Sequence, residues 1–409
     1  MPDGLSPHAN MTIAESNALW AELRTNCPIA WVDDYGGYWI AAKYADVRRI
    51  LRDHETFSSA RLGDGTRSAA VIPGPKMPFL LPPEEFDPPL VRPYRDILSR
   101  ALSPTATGAM QPAVDKWVTH YFDQMVENAE QNGRCDLVID FVERVAGAVV
   151  LEWLGFPDDD WKRFYDTVHH SIHVETLAPD DPQRAKAATD SEALLRRIRE
   201  IVIDRRCSPR DDVISYIAAQ EVDGELIDVD LACGMVVLCV FGGVNGTTTV
   251  TSMALYHLHR DRALRSRLLQ QPELIDSALE EFLRVYSPVR GAARTVTKDV
   301  EVGGLRMRPG ERVVTSPYSA CQDDEEFGNA STFDPERFPN RHAAFGLGIH
   351  RCPGSHLARA EVKTMIKHVL RHIPDYTIDD GRVVEYSAGL AKPLGYKNLP
   401  ATLAPQPTP

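Results

Sequence analysis

The run Phe345-Gly346-Leu347-Gly348-Ile349-His350-Arg351-Cys352-Pro353-Gly354 decides the reading of this chain. It puts one cysteine at the tip of a glycine-rich loop, and the segment after it, Ser355 to Ile373, reads as a helix. Gly346 and Gly348 allow a tight turn that brings backbone N–H groups toward the sulfur, and Phe345 can cover it against water. Gly354 lets the helix start close to a flat ring, and the positive N-terminal end of that helix favours a thiolate. A cysteine exposed on one side and held by backbone on the other suits an axial ligand to haem iron. A thiolate there pushes electron density onto the metal and favours O–O cleavage.

The bulk properties narrow the field. The 409 residues are enough for a large core, and a net charge of -13 argues against nonspecific nucleic-acid binding, which needs a basic surface. Seven cysteines (Cys27, Cys135, Cys207, Cys233, Cys239, Cys321 and Cys352) form no CxxC pair. That fits neither a disulfide framework nor a zinc site and points to a reducing compartment. The N-terminus shows no basic segment followed by an apolar one, so no signal peptide is expected. The longest apolar stretch, Leu231 to Val244, is too short to span a bilayer.

Outward from the cysteine loop, the pattern is mainly helical with small sheets at both ends. Ile29 to Ala41 alternates around Tyr35-Gly36-Gly37, a hairpin signal, and Asp46 to Asp53 reads as a short helix. Ser59 to Phe86, rich in Gly and Pro, reads as a long loop of the kind that is usually functional. Asp87 to about Leu269 is mostly helical, with a break at Pro179 to Pro182. Leu231 to His259 is a long apolar helix, hence a buried central one, and Leu274 to Val285 is another. Val296 to Val314 reads as short strands turning at Gly303-Gly304 and Pro309-Gly310, Thr315 to Ala344 as irregular, and Val383 to Leu403 as strand and turn. No linker divides the chain, so one domain over 1–409 is expected, with about 1–27 and 404–409 as peripheral tails.

A second motif is Glu281-Phe282-Leu283-Arg284, an ExxR on a helix, a spacing that by itself describes many surface pairs. The pattern Phe345-x-x-Gly348-x-x-x-Cys352-x-Gly354 resembles, at every fixed position, the haem-binding signature of the cytochrome P450 family. The ExxR stands at that family's distance before the cysteine. The resemblance runs from about Pro28 to Leu403 and implies the cytochrome P450 fold (α+β, mainly α with small β-sheets). Haem b would sit between the long central helix and the cysteine loop, with Cys352 as the iron ligand. It further implies that Glu281, Arg284 and Arg337, the last in Asp334-Pro335-Glu336-Arg337-Phe338, form a buried charge network that braces the haem-binding core.

The haem propionates need cationic or donor partners. The resemblance assigns these to Arg95, Arg294 and His350, while Val91 stands where many relatives carry a further histidine. In the central helix, relatives usually read Ala/Gly-Gly-x-Asp/Glu-Thr, an acid and an alcohol that relay protons. This chain reads Gly242-Gly243-Val244-Asn245-Gly246-Thr247, with Gly242 beside the cofactor, Asn245 at the acid and Gly246 at the alcohol. Thr247 is one residue late, about 100° round the helix. Three readings stay open: a water over Gly246 oriented by Asn245, a local bulge that brings in Thr247, or a hydroxyl supplied by the substrate. Implied pocket residues are Phe79, Leu81, Val240, Gly243, Val289, Arg290, Leu390 and Ala391. Arg290 could bind a carboxylate but more often would turn outward or toward a propionate.

The resemblance thus implies a soluble bacterial-type monooxygenase, cytoplasmic and without a membrane anchor. It would insert one oxygen atom of O2 into a small or mid-sized apolar substrate, a terpenoid or aromatic being favoured. Electrons would come from a ferredoxin or flavodoxin with its reductase, docked on Arg92, Arg95, Arg100, Arg351 and Arg359. The missing acid–alcohol pair keeps open a peroxide-driven oxygenase or a coupling or rearrangement enzyme, and a non-catalytic haem sensor is a further alternative. His169 and His173, four apart, lack the glutamate of a zinc helix and read as a surface pair.

Overall fold

The computed structural model describes residues 7–61, 67–74, 76–173, 181–386, 389–390 and 394–403, without the side chains of 168–173. The chain folds into two compact units, each assembled from three separated segments. The first comprises Met1–Leu98, Glu280–Pro353 and Ser387–Leu394; the second comprises Ser99–Leu279, Gly354–Tyr386 and Gly395–Pro409.

The first unit is built on a five-stranded sheet. The hairpin read from Tyr35-Gly36-Gly37 pairs Ile29–Val32 with Tyr38–Ala41, Ile29 facing Ala41. Its turn needs left-handed backbone: Tyr35, Gly36 and Gly37 have φ of 53°, 89° and 89°. Arg312–Thr315 joins in parallel beside Tyr38–Ala41, then Ala292–Val296 and Phe57–Ser58 complete the sheet. Helix Tyr44–Arg52 buries Tyr44, Val47, Ile50 and Leu51, one stripe at helical spacing. These residues share a core with Phe57, Val296, Val313 and Phe327. The stretch from Thr315 to Ala344 is not wholly irregular: Pro317–Ala320 and Asp324–Phe327 are single helical turns.

The second unit is mostly helical. Its central helix, Val229–Arg260, extends past both ends of the apolar stretch read from sequence. The side chain of Asp228 caps its start by accepting from the amides of Asp230 and Leu231. With 32 residues and a mean hydropathy of 1.8 over its most apolar window, it is long and apolar enough to cross a membrane. That corrects the length argument made from Leu231 to Val244. Here it packs against helices Glu143–Leu154, Pro182–Cys207 and Ser355–His372. The cysteine-loop helix, Ser355–His372, buries Leu357, Val362, Met365, Ile366 and Val369 on one stripe. The hairpin Glu221–Val222/Glu225–Leu226, unanticipated in a helical stretch, precedes the central helix. His169 and His173 both lie on helix Asp158–His173. Among the described residues, no group of His, Cys, Asp or Glu could hold a metal ion.

Gly243 and Gly242, adjacent in sequence, have opposite surroundings. A Cβ on Gly243 would lie 2.5 Å from Val150 Cγ2, whereas one on Gly242 would meet nothing within 4 Å. Gly243 is therefore the point where the central helix closes on helix Glu143–Leu154. This packing corrects its assignment to the substrate pocket. Replacing a helical glycine by alanine gains about 1 kcal/mol of propensity, but overpacking costs about 1–3 kcal/mol. Gly243→Ala is expected to lower, and Gly242→Ala to raise, the thermal unfolding midpoint, followed by circular dichroism.

Candidate active site

The loop around Cys352 is fixed by its own backbone and by helix Tyr44–Arg52 of the same unit. The Cys352 amide donates to the Phe345 carbonyl at 2.8 Å, and the Gly346 amide to Ala343 O at 2.8 Å. Gly346 and Gly348 hold φ of 68° and 73°, where side chains are disfavoured. At Gly348 a Cβ would also sit 2.3 Å from the carbonyl oxygen of Leu51, so only glycine lets the loop lie against helix Tyr44–Arg52. Cys352 is half-buried and in no disulfide.

Beside the cysteine, three predicted residues come together with one that sequence reasoning missed. Burial pushes the His350 imidazole down to about 3, helped by the neighbouring Arg294, Arg95 and His54. Burial likewise lowers Arg294, which is 7% exposed and sits on strand Ala292–Val296 with Glu84 and Asp87 partly offsetting the shift, and the half-buried Arg95, where the Cys352 sulfur partly offsets it. Neither ring nitrogen of His350 has a protein hydrogen-bond partner, nor does His54 Nδ1. Glu84 and Asp87 offset part of the Arg294 charge, but the enclosed ring nitrogens of His350 and His54 Nδ1 stay unmatched by any protein group, which is unfavourable unless a further group joins them. The carboxylates of haem b fit this cradle, as the thiol side chain of Cys352 fits its iron. His54, just past helix Tyr44–Arg52, carried no sequence signal, since an isolated histidine between acidic residues reads as surface. Arg95 belongs to this cradle rather than to an exposed docking face. Arg92 and Arg351 are exposed in this unit, Arg100 is exposed in the other, and Arg359 is half-buried there, bonded to Ser355 O at 3.1 Å.

Glu281 and Arg284 are fully buried. Arg284 Nε and Nη2 donate to the two Glu281 oxygens at 2.8 and 2.7 Å, and Arg337 Nε donates at 3.1 Å. The amide of Asp334 and the side chain of Asn340 add bonds of 3.0 and 3.1 Å. Burial alone would raise the Glu281 carboxyl, but these donors, Arg284 first, hold it below its ordinary value. Arg284 also reaches the carbonyls of Cys321, Ala330 and Thr332, and Arg337 those of Phe327, Gly328, Asn329 and Thr332. Phe338, beside Arg337, is 95% exposed and outside this network.

Arg290 is not the outward-turned residue that is one of its expected fates. It is buried, stacks over the Tyr318 ring at 4.5 Å, and donates to Ser16 Oγ on helix Ile13–Asn26. Of the other pocket candidates in this unit, Leu390 is buried 3.2 Å from the Cβ position of Gly291, and Val289 is half-buried, its carbonyl accepting from Tyr318 N. Phe79 and Leu81 lie on a loop pinned by the buried Arg61–Glu85 ion pair at 2.8 Å. Ala391 lies outside the described residues.

In the second unit, Val240 is buried and Asn245 half-buried, with Asn245 Oδ1 enclosed and without a protein partner. The helix is regular through this stretch, so no bulge brings Thr247 round. Instead the buried Thr247 hydroxyl donates to Glu361 Oε2 of the cysteine-loop helix at 3.1 Å.

A sequence model of the family Cytochrome P450 matches residues 183–374. Cytochrome P450 130 of Mycobacterium tuberculosis is 30% identical over 351 residues, 85% of this chain and 84% of that protein. Steroid C26-monooxygenase of Mycolicibacterium smegmatis is 30% identical over 378 residues, 87% and 83% of the two chains. Among solved structures, CYP109E1 of Bacillus megaterium in complex with corticosterone superposes with a TM-score of 0.80 at 26% identity, covering 94% of this chain and 97% of that one. The chain belongs to the cytochrome P450 family: an oxidoreductase of the monooxygenase class whose cofactor is thiolate-ligated haem b.

Removing one partner of a buried ion pair costs about 3–5 kcal/mol. Glu281→Gln, which leaves Arg284 and Arg337 facing a neutral amide, is expected to lower the unfolding midpoint and haem content together. Gly348→Ala is expected to cut haem content with a smaller change in unfolding, because its clash with the Leu51 carbonyl can be relieved by shifting the loop away from the end of helix Tyr44–Arg52. Haem-to-protein absorbance and urea titration check both.

Proposed function

We propose that this chain is a monooxygenase that inserts one oxygen atom of O2 into a small or mid-sized apolar molecule, with Cys352 as the iron ligand. The observation that carries it is the Cys352 loop lying beside a cluster of cations and unpartnered donors, Arg95, Arg294, His350 and His54. When bound, haem supplies an iron able to activate O2 once electrons arrive. The chain's residues do the rest. Cys352 donates electron density as a thiolate, and its loop is kept in place by the Phe345 carbonyl. Arg95, Arg294 and His350 hold the cofactor carboxylates. Asn245 offers an unpartnered oxygen with which to orient a water, and Gly246 leaves room for that water or for a substrate hydroxyl.

An apolar substrate is supported by the pocket candidates themselves. Val240, Val289 and Leu390 are aliphatic, and Arg290, their one charge, is engaged with Ser16 and Tyr318. Terpenoids and aromatics remain the favoured class. The steroid named for two of the relatives makes polycyclic compounds the first to add to a panel. We assign electron supply to a ferredoxin or flavodoxin with its reductase, a cytoplasmic location, and a docking role to Arg92 and Arg351, both exposed.

The Asn245-Gly246 pair also favours a second reading, a peroxide-driven oxygenase. The reduced, CO-bound protein is expected to show the red-shifted Soret band of thiolate ligation, lost in Cys352→Ser; its absence from the native protein overturns the proposal. Turnover of panel compounds that shift the haem spin state is expected with reduced ferredoxin. Strong turnover with hydrogen peroxide and none with ferredoxin would establish the second reading.

A further inference from the structure

The second unit holds a cleft of about 280 Å³. Among the described residues, none of those assigned to haem or substrate lines it. It opens between helices Gln111–Asn132, Glu143–Leu154 and Asp158–His173, all within this unit. The buried Gly147, Ala148 and Leu151, on one face of helix Glu143–Leu154, form its floor. Tyr121, Trp161 and Tyr165, each half-buried, form its walls.

The walls are held by bonds within the protein. Trp161 Nε1 donates to the Phe156 carbonyl at 3.1 Å, and the Tyr165 hydroxyl donates to Glu143 Oε2 at 3.3 Å. The Trp161 ring lies 5.0 Å from that of Trp117, which stacks on Tyr121 at 5.7 Å and donates its own Nε1 to Glu152. Rings fixed in this way lose little freedom when a ligand arrives. Gly147 keeps the floor open, since a Cβ there would reach to 3.5 Å from Tyr165 Cδ2.

Charge sets what the cleft can hold. Lys162 is neutralised by Asp166 at 2.6 Å. Arg144 has no such partner. It is exposed, its guanidinium lies 4.4 Å from the centre of the Tyr165 ring, and it makes no hydrogen bond or ion pair among the described residues. The Tyr121 hydroxyl also has no hydrogen bond there. Burial raises the Tyr121 and Tyr165 hydroxyls and Arg144 opposes the rise in each, so its charge reaches across the cleft. A cage of aromatic rings alone suits a quaternary ammonium, but an uncompensated guanidinium repels one. The same rings receive a flat ligand by stacking or edge contact, and the guanidinium fork matches a carboxylate with two parallel bonds. The volume falls just short of the about 300–1,000 Å³ of pockets for drug-sized ligands, which limits the occupant to one or two rings.

We propose that this cleft is a second ligand site, for a mono- or bicyclic aromatic carboxylate whose ring packs among Tyr121, Trp161 and Tyr165 and whose anion is held by Arg144 with the Tyr121 hydroxyl. The inference does not depend on the monooxygenase reading, because the cleft needs neither iron nor electrons.

Calorimetric titration of the holoenzyme with naphthoate tests it. One equivalent is expected to bind with the haem Soret band unmoved. Naphthamide, of the same shape without the charge, should bind at least about tenfold more weakly, the loss of one charge-assisted contact. Affinity for naphthoate should fall as salt rises, because Arg144 is exposed. Arg144→Gln is expected to weaken naphthoate by about tenfold and bring it level with the amide. Arg144→Lys, which keeps the charge without the fork, should fall between. Trp161→Leu, which removes a wall and keeps the charge, should weaken acid and amide alike. No binding of naphthoate, binding only with a shift of the Soret band, or equal affinity in the native protein and Arg144→Gln overturns the inference. None of these results alters the thiolate CO band by which the monooxygenase reading stands or falls.

Discussion

The Glu281 carboxylate is the constraint on which the first unit depends. A fully buried charge is tolerable only when every lone pair is used, and here five donors converge on two oxygens. Both arginines then spend their remaining N–H groups on carbonyls between Cys321 and Thr332. The result is a long, mostly non-repetitive segment held to the end of a helix by charge-assisted bonds in addition to the core contacts of Cys321, Phe327 and Ala330. That segment leads directly into the cysteine loop, so the position of Cys352 is inherited from Glu281.

The residues that were legible in sequence are those whose chemistry admits few partners. A cysteine between glycines at fixed spacing, an ExxR and the Tyr35-Gly36-Gly37 turn each specify a local geometry, and the structure has those geometries. Gly348 shows why: its left-handed φ and the carbonyl of Leu51 exclude any other residue. The central and cysteine-loop helices were legible from apolar periodicity alone.

What escaped depended on contacts distant in sequence. Arg290 has the same composition signal whether it meets a carboxylate or, as here, Ser16 and Tyr318, which are contributed by segments far along the chain. Gly243 reads as a pocket residue until Val150 is placed against it. Glu361 did leave a trace, an acid at an apolar position of a regular stripe, but helices carry so many glutamates that only its burial distinguishes it. His54 left none.

The interleaving of the two units bears on how the chain acquires its structure. Neither is a continuous stretch: the first unit's segments end at Leu98, Pro353 and Leu394, the second's at Leu279, Tyr386 and Pro409. During synthesis from the N-terminus, the sheet hairpin at Ile29–Ala41 must wait for strands beyond residue 291, and Cys135–Asp136 for Pro400–Thr402. Such closures across hundreds of residues are slow because their loop entropy is lost before any contact offsets it. Until nearly the whole chain has emerged, the apolar central helix lacks part of its cover, and this is the interval in which the nascent protein is most exposed to aggregation.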